Sequence, residues 1–312
     1  MISMHIAIIG CGRIGQSLAS LLLNEWYVSE LSLVDVAPNL AKAVAEDFRH
    51  ASVALRRDVE IEGYENVKDV EKADMVVVTA GAPRRADQSR RDLAVKNAGI
   101  IKNIAEGIYH KNKDAWFLIV TNPVDAMATL FYQATKSGRV VGSGTHLDTI
   151  RFRSEIARRL GASTADIEGF VAGEHGEAAV PLWSTVKVRG VRLEDFVRED
   201  VATFRNEIEK AVKEIAARII RYSGATIHGP VHAFREIIRS ILLNEAKILS
   251  VASPYKIENS EVYLSLPSIV SSSGVQPVLF KNLTDEEKKK IEIAAKAIYK
   301  TFKEATRDLN LR

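Results

Sequence analysis

The chain has 312 residues, of which 46% are hydrophobic and 27% charged, proportions that are ordinary for folded globular proteins. This length is ample for a large core and favours two fused lobes. The 43 basic and 40 acidic residues are interspersed and leave a formal charge of +3, so we expect no nucleic-acid partner. No apolar run has membrane-spanning length, no signal-type leader opens the chain, and a single cysteine excludes an intrachain disulfide; we therefore expect a cytoplasmic protein.

A glycine-rich turn follows the first predicted strand. Residues 5–9 form an apolar run typical of a buried parallel strand, and a helix is predicted to extend through Leu23. The turn between them reads Gly10-Cys11-Gly12-Arg13-Ile14-Gly15. Its glycines would allow the tight turn, the approach of a pyrophosphate and close packing of helix on strand. This context predicts dinucleotide binding; the alternative is a glycine turn in an unrelated α/β protein.

An acidic residue ends the second predicted strand, residues 31–34. Asp35 lies 20 residues after Gly15, where a carboxylate accepts hydrogen bonds from the adenosine ribose and repels a 2′-phosphate. The sequence therefore favours NAD over NADP. The alternative role of Asp35 is a solvated strand end.

Further strands and helices alternate along the first half of the chain. Residues 75–79 and 116–120 are predicted strands, and residues 93–109 between them are a predicted helix. This alternation predicts an α/β fold with a doubly wound parallel Rossmann sheet, in which ligands bind at the carboxyl ends of the strands. Two loop segments lie at such ends: Thr79-Ala80-Gly81-Ala82-Pro83 and Thr121-Asn122-Pro123-Val124-Asp125.

The pattern changes after Gly144, so we place the lobe boundary between residues 1–143 and 144–312. The second, α+β lobe is predicted to contain a helix at 147–160, strands at 167–172 and 185–188, and long helices beginning near Phe204 and Val231. A last helix, about 285–308, carries Glu286-Glu287-Lys288-Lys289-Lys290, which we expect to form an exposed face with intrahelical ion pairs.

One histidine stands between glycines, in Gly173-Glu174-His175-Gly176-Glu177. Histidine, with an unperturbed pKa of about 6.5, is suited to proton exchange at neutral pH. Asp148 and Arg151 are three residues apart, so on the predicted helix they project from one face; a surface ion pair is the alternative. The other histidines, which we assign to core or turn roles, are His5, His50, His110, His146, His228 and His232.

Together these segments resemble the lactate/malate dehydrogenase superfamily over nearly the whole chain, in one order. Arg90-Arg91-Asp92-Leu93 and Leu147-Asp148-Thr149-Ile150-Arg151-Phe152 complete the resemblance. Because Gly142-Ser143-Gly144-Thr145 precedes the latter, the chain is most similar to the lactate-dehydrogenase-like malate dehydrogenases of archaea and some bacteria.

The resemblance implies roles for individual residues. His175 would exchange the substrate hydroxyl proton, and Asp148 would orient its ring. Arg151 would bind the C1 carboxylate through two hydrogen bonds, and Asn122 the substrate oxygen. Residues 83–92 would form a mobile lid that brings Arg90 onto the substrate carbonyl, whereas Arg85 and Arg91 would be solvated. With Arg90 and His175 supplying the polarisation, no metal is expected.

The cofactor implied by the resemblance is NAD. The residues that it assigns to cofactor binding are Gly10, Cys11, Gly12, Arg13, Ile14, Gly15, Asp35, Thr79, Ala80, Gly81, Asn97, Val120, Thr121 and Asn122.

The resemblance also addresses the substrate. Arg84 occupies the family position where arginine suits oxaloacetate and glutamine suits pyruvate, because a second carboxylate needs a partner. This predicts an NAD-dependent malate dehydrogenase, an enzyme of the tricarboxylic acid cycle. The nearest alternative is an L-lactate dehydrogenase, since Ser223-Gly224-Ala225-Thr226 keeps a threonine typical of those enzymes. A distant alternative is a non-catalytic NAD-binding sensor. The resemblance further implies a homotetramer or homodimer.

Overall fold

The computed structural model describes residues 2–82, 90–198, 200–258, 260–278 and 280–309. The elements of the first half are β1 (Met4–Ile9), α1 (Arg13–Leu22), β2 (Val28–Val34), α2 (Leu40–Ala54), β3 (Glu60–Tyr64), β4 (Met75–Val78), α3 (Arg90–Ile108), β5 (Trp116–Ile119), α4 (Val124–Thr135) and β6 (Val140–Gly142). Those of the second half are α5 (His146–Leu160), β7 (Ile167–Gly173), β8 (Ala179–Val188), β9 (Val191–Arg192), α6 (Leu193–Phe196), α7 (Val201–Ser223), α8 (His228–Leu242), β10 (Lys247–Ile257), β11 (Ser260–Ser271), β12 (Gly274–Pro277) and α9 (Asp285–Ala305).

The first six strands form a parallel sheet in the order β3-β2-β1-β4-β5-β6. This is the strand order of the dinucleotide-binding fold, in which the chain reverses direction across the sheet between β1 and β4. The α/β prediction with a Rossmann sheet is confirmed. The carboxyl ends of β1, β4 and β5 lie at one edge, so the loops that follow them meet there.

Helices cover both faces of this sheet, as the alternation of side chains along β1 shows. Ile6 and Ile8 pack in a cluster with α1 and α8, whereas Ala7 and Ile9 pack on the opposite face with α3 and α4. Burying one such aliphatic side chain contributes about 1.5–3 kcal/mol. The strands are therefore apolar on both faces, as expected for a buried parallel sheet.

The second half continues the sheet with antiparallel strands. β10 and β11 form a long hairpin, which joins β6 through Ala252 and Gly142 and joins β7 through Ser265 and Gly173. Sequence reasoning did not predict this hairpin, nor helices α2 and α4. The division at residue 143 stays a prediction.

In the last helix, one residue of the segment that was predicted to be exposed is buried. Lys290 does pair with Glu286, at 2.7 Å, and Lys288 with Asp285, at 3.0 Å. The expectation was wrong for Glu287, which is buried because it forms a capping box with Thr284 and accepts a hydrogen bond from the backbone of Ser184. None of the described helices is both long and apolar enough to cross a membrane.

Candidate active site

The glycine turn after β1 leaves open space where the sequence predicts a pyrophosphate. Gly10 has φ +109°, and a Cβ there would lie 2.7 Å from the backbone nitrogen of Ala80. A Cβ on Gly15 would overlap the carbonyl oxygen of Gly10. At Gly12, by contrast, a Cβ would meet nothing within 4 Å, and this residue precedes α1 without providing a side-chain cap. The turn therefore presents uncapped N–H groups to a region that a phosphate can enter.

Asp35 lies beside this turn and holds it. Its carboxylate accepts hydrogen bonds from the backbone N–H of Cys11, at 2.8 Å, and of Ala37, at 2.9 Å. The contact with Cys11 was not predicted from the sequence. Each carboxylate oxygen has more than one acceptor site, so these bonds leave capacity for ribose hydroxyls.

Hydroxyl groups bind together the loops at the ends of β1, β4 and β5. Thr79 donates to the carbonyl of Gly10 at 3.0 Å, and Thr121 donates to the carbonyl of Ala80 at 2.7 Å. These bonds give partners to backbone carbonyls that lie beyond the ends of the strands.

Asn97 of α3 connects two of the same loops. Its side-chain oxygen accepts from the backbone N–H of Ala82 at 2.8 Å, and its amide donates to the carbonyl of Asn122 at 2.7 Å. Asn97 is buried, so its polar atoms need these partners. Its observed role is to hold the loops that line the site.

A cleft of about 1100 Å³ opens at this edge of the sheet. The predicted site residues that line it are Ile14, Thr79, Gly81, Asn97, Val120, Thr121, Asn122 and His175. Arg91, expected to be only solvated, also lines it. Sequence reasoning missed the wall that α9 contributes through Lys300, Thr301 and Glu304, because no local pattern indicates where a C-terminal helix docks.

His175, which lines this cleft, is brought together with Asp148 from a different element. His175 follows β7, Asp148 lies in the first turn of α5, and the His175 Nδ1 atom is 2.7 Å from the carboxylate of Asp148. Arg151, one turn along α5, has its guanidinium 3.5 Å from the same carboxylate, so the two share a helix face as predicted. Arg151 is not among the residues that line the cleft, but Asp148 connects it to His175 on the cleft wall.

Two buried threonines fix α5 against β7 on either side of Asp148. The hydroxyl of Thr145 donates to the carbonyl of Val171 at 2.6 Å, and the hydroxyl of Thr149 accepts from its N–H at 2.9 Å. The carbonyl and the N–H of Val171 thus both hold α5 against β7. This docking sets the position of Asp148 relative to His175, four residues beyond Val171 on the same chain segment.

The electrostatics of the pair follow from its geometry. Burial by itself lowers the pKa of His175, but the charge and hydrogen bond of Asp148 outweigh burial, and the pKa is raised above its ordinary value. Burial by itself raises the pKa of Asp148, but His175 and Arg151 outweigh it, and the pKa is lowered. The arrangement therefore favours a protonated imidazole beside an ionised carboxylate, the state from which His175 can donate a proton.

Two predicted site residues cannot be placed. Arg84 lies in segment 83–89, outside the described residues. Arg90 begins α3, but its side chain is outside the description.

Known proteins share this fold and this order of segments. Residues 4–142 match the family model of the lactate/malate dehydrogenase NAD binding domain, and residues 145–308 match that of the alpha/beta C-terminal domain. The chain belongs to the lactate/malate dehydrogenase family. It is therefore an NAD-dependent 2-hydroxy acid dehydrogenase, which disfavours the sensor alternative.

Individual relatives of both substrate types are similar to the chain. The malate dehydrogenase of Sulfolobus acidocaldarius is 40% identical over 97% of each chain. The L-lactate dehydrogenase of Halalkalibacterium halodurans is 36% identical over 91% of this chain and 92% of its own. The crystal structure of malate dehydrogenase from Plasmodium falciparum has a TM-score of 0.90 at 29% identity, covering 98% of this chain and 99% of that one.

The residues present fit the NAD of this family. Gly12 leaves room for a pyrophosphate at the uncapped start of α1, and the cleft extends from the neighbouring Ile14 to His175. When bound, NAD supplies the acceptor for a hydride from carbon. The protein's own residues must then bind the substrate and exchange its proton.

Proposed function

We propose that the enzyme is an NAD-dependent malate dehydrogenase, interconverting (S)-malate and oxaloacetate. The observation that carries the choice of substrate is Arg84, because a dicarboxylate needs a second cation besides Arg151. The 40% identity with a malate dehydrogenase over almost the full length supports the same choice.

The protein's side chains divide the work of the reaction. Arg151 binds the C1 carboxylate, Arg84 the second carboxylate, and Asn122 the oxygen on C2. In the direction of malate oxidation, the His175 Nε2 atom accepts the hydroxyl proton while the C2 hydrogen leaves as hydride. Asp148 bonds to Nδ1, which leaves Nε2 for the substrate and stabilises the imidazolium that forms.

Arg90 acts on the same oxygen from the lid. A guanidinium stabilises the negative charge that develops on the C2 oxygen, and closure of the lid excludes water from the cleft. Neither role adds a proton-transfer step, since His175 alone exchanges the proton. Arg90 therefore stabilises charge, whereas His175 carries out the acid–base chemistry.

Steady-state kinetics test this proposal. Oxaloacetate and pyruvate are compared with NADH and with NADPH by the loss of the NADH absorbance band, and we expect oxaloacetate with NADH to give the highest kcat/KM. Arg84→Gln should raise the ratio of pyruvate to oxaloacetate turnover by about 100-fold or more, because one buried carboxylate loses its partner. Arg85→Gln is the matched control. An unchanged ratio in Arg84→Gln would show that Arg84 does not select the substrate.

L-lactate dehydrogenase is the second candidate, favoured by one structural observation. Thr226, the residue typical of lactate dehydrogenases, lines the cleft. A higher kcat/KM for pyruvate than for oxaloacetate in the wild-type enzyme would establish this alternative.

We also infer a cytoplasmic homotetramer, with a homodimer as the alternative, working in the tricarboxylic acid cycle. The C-terminal end of α7 supports an assembly through apolar helix faces, since Ile219, Ile220 and Tyr222 are exposed. Light scattering coupled to gel filtration distinguishes the two states. We infer the cytoplasmic location from the single cysteine. We infer the role in the tricarboxylic acid cycle from the proposed substrate.

A further inference from the structure

Asp125 is a buried carboxylate outside the set of residues that the reaction uses. It lies in the first turn of α4 and is only 2% exposed. A buried carboxyl group is costly unless hydrogen bonds compensate for the loss of water. The partners of Asp125 therefore indicate what it does.

Both oxygens of Asp125 bind groups from distant parts of the chain. One accepts a hydrogen bond from the backbone N–H of His175 at 2.8 Å, and the other accepts from the hydroxyl of Ser265 at 3.1 Å. Ser265 lies on β11 and is fully buried, and it is paired with Gly173 at the end of β7. Asp125 thus joins α4, β11 and the residue that bears the imidazole.

The backbone turns just before His175, at the end of β7. Gly173 has φ +92°, and the N–H of Glu174 bonds to the carbonyl of Ala178 at a long 3.3 Å, which closes the turn between β7 and β8. The ring of His175 is held by Asp148 of α5, and its backbone by Asp125 of α4. Two carboxylates on two helices therefore hold one histidine at opposite ends.

We propose that Asp125 is a positioning residue for His175, fixing its backbone N–H and placing a second carboxyl group beside the histidine. The inference rests on the proposed role of His175 as the group that exchanges the substrate proton. Asp125 acts through His175 and does not contact the substrate.

The charges around the pair give the direction of the electrostatic effect. Burial raises the pKa of Asp125 to about 7, while the backbone hydrogen bond and the charge of His175 oppose this and Glu174 adds to it. The pKa of His175 is raised by Asp148 first and by Asp125 after it, against burial and Arg151, which lower it. Where Asp125 is ionised, removing its charge should therefore lower the pKa of His175.

Two substitutions separate the hydrogen bond from the charge. Asp125→Asn keeps an acceptor for the His175 N–H, and its amide can donate to the Ser265 hydroxyl, so only the charge is lost. Asp125→Ala loses both bonds. We expect Asp125→Ala to lower kcat for oxaloacetate reduction about 10- to 100-fold with the Kd for NADH unchanged, because small displacements of a catalytic group are costly. Asp125→Asn should keep most of kcat at low pH.

The discriminating measurement is the protonation of His175. Its ring is followed by NMR in protein with labelled histidine, with His175→Asn used for assignment, and we expect the titration midpoint to move down in Asp125→Asn. The kcat profile for oxaloacetate reduction should fall at a correspondingly lower pH. Glu287→Gln is the matched control, because Glu287 is also a buried carboxyl bonded to a backbone N–H but lies in α9 by Ser184.

A purely structural role would give a different result. Lower thermal stability of both Asp125 variants with the His175 midpoint and kcat unchanged would overturn the proposal. The NMR titration does not depend on turnover: absence of activity toward every 2-keto acid in the wild type would contradict the proposed function, whereas the midpoint shift would still report on Asp125.

Discussion

The carboxylate of Asp35, at the end of β2, accepts a hydrogen bond from the backbone N–H of Cys11, in the glycine turn after β1, at 2.8 Å. The residue predicted to recognise the ribose therefore also holds the turn that is predicted to receive the pyrophosphate. These two predictions together imply that one side chain couples cofactor selection to the shape of the phosphate site.

Asp35→Ser should change cofactor preference and stability together. The smaller, uncharged side chain removes repulsion of a 2′-phosphate and leaves at least one of two backbone N–H groups without its acceptor. We expect the NADPH to NADH ratio of kcat/KM to rise about 10-fold or more and the free energy of unfolding to fall by about 1–3 kcal/mol. Kinetics with both cofactors and urea unfolding check this, with the exposed Asp58→Ser as control. The same NADPH to NADH ratio as in the wild type would refute the ribose role.

Asp148→Asn should show how strongly the carboxylate of Asp148 stabilises the protonated ring of His175. We expect kcat to fall about 100-fold or more, because the histidine loses the partner that fixes its tautomer and stabilises its charge. Asp148 raises the pKa of His175, so its loss lowers that pKa. Reduction of oxaloacetate needs the protonated ring of His175. The rate of reduction is therefore lost as the pH rises through the pKa of His175, and this loss should occur at a lower pH in the variant than in the wild type. The check is a pH profile of kcat, with Asp166→Asn as control, and a midpoint that did not move down would contradict the prediction.

Arg151→Lys should weaken substrate binding without affecting the cofactor. Lysine keeps the charge but cannot donate two parallel hydrogen bonds to a carboxylate, so we expect KM for oxaloacetate to rise about 10- to 100-fold. The Kd for NADH, measured by fluorescence, should be unchanged. Arg158→Lys on the same helix is the control, since Arg158 is exposed and pairs with Glu155 at 2.7 Å. Equal KM values in both variants would argue against a role for Arg151.

Glu25→Gln should destabilise the protein while leaving catalysis intact. Glu25 is buried before β2 and accepts hydrogen bonds from Arg235 and Arg239 of α8. Because both guanidiniums are partly exposed, we expect a loss of about 2 kcal/mol in the free energy of unfolding, below that of a fully buried pair. Glu286→Gln, which removes an exposed pair with Lys290, should cost much less, because water screens the charges of an exposed pair. Similar losses in the two variants by urea unfolding would contradict this account.

The parts of the fold that sequence predicted have strong local signals. The apolar run before Gly10, the glycine turn and the helix after it occur as expected, as do β4, β5, α5 and the two long helices α7 and α8. The hairpin of β10 and β11 was missed, because several of its buried residues are small and polar, such as Ser250, Ser253, Ser265 and Ser268. Buried serines do not contribute to the hydrophobic periodicity by which strands are recognised in a sequence.

By itself, the sequence determined the chemistry available to this protein: a glycine turn with an acid after it, and His175, Asp148 and Arg151 in an order shared with the lactate/malate dehydrogenase family. Tertiary structure alone decided which groups meet. The buried Asp125 became a partner of His175, 50 residues away, and of Ser265, 140 residues away, Glu287 became buried, and α9 became a wall of the cleft. The physical reason is that hydrogen bonds and burial between distant segments depend on how helices and strands pack, whereas turn and helix signals act within a few residues.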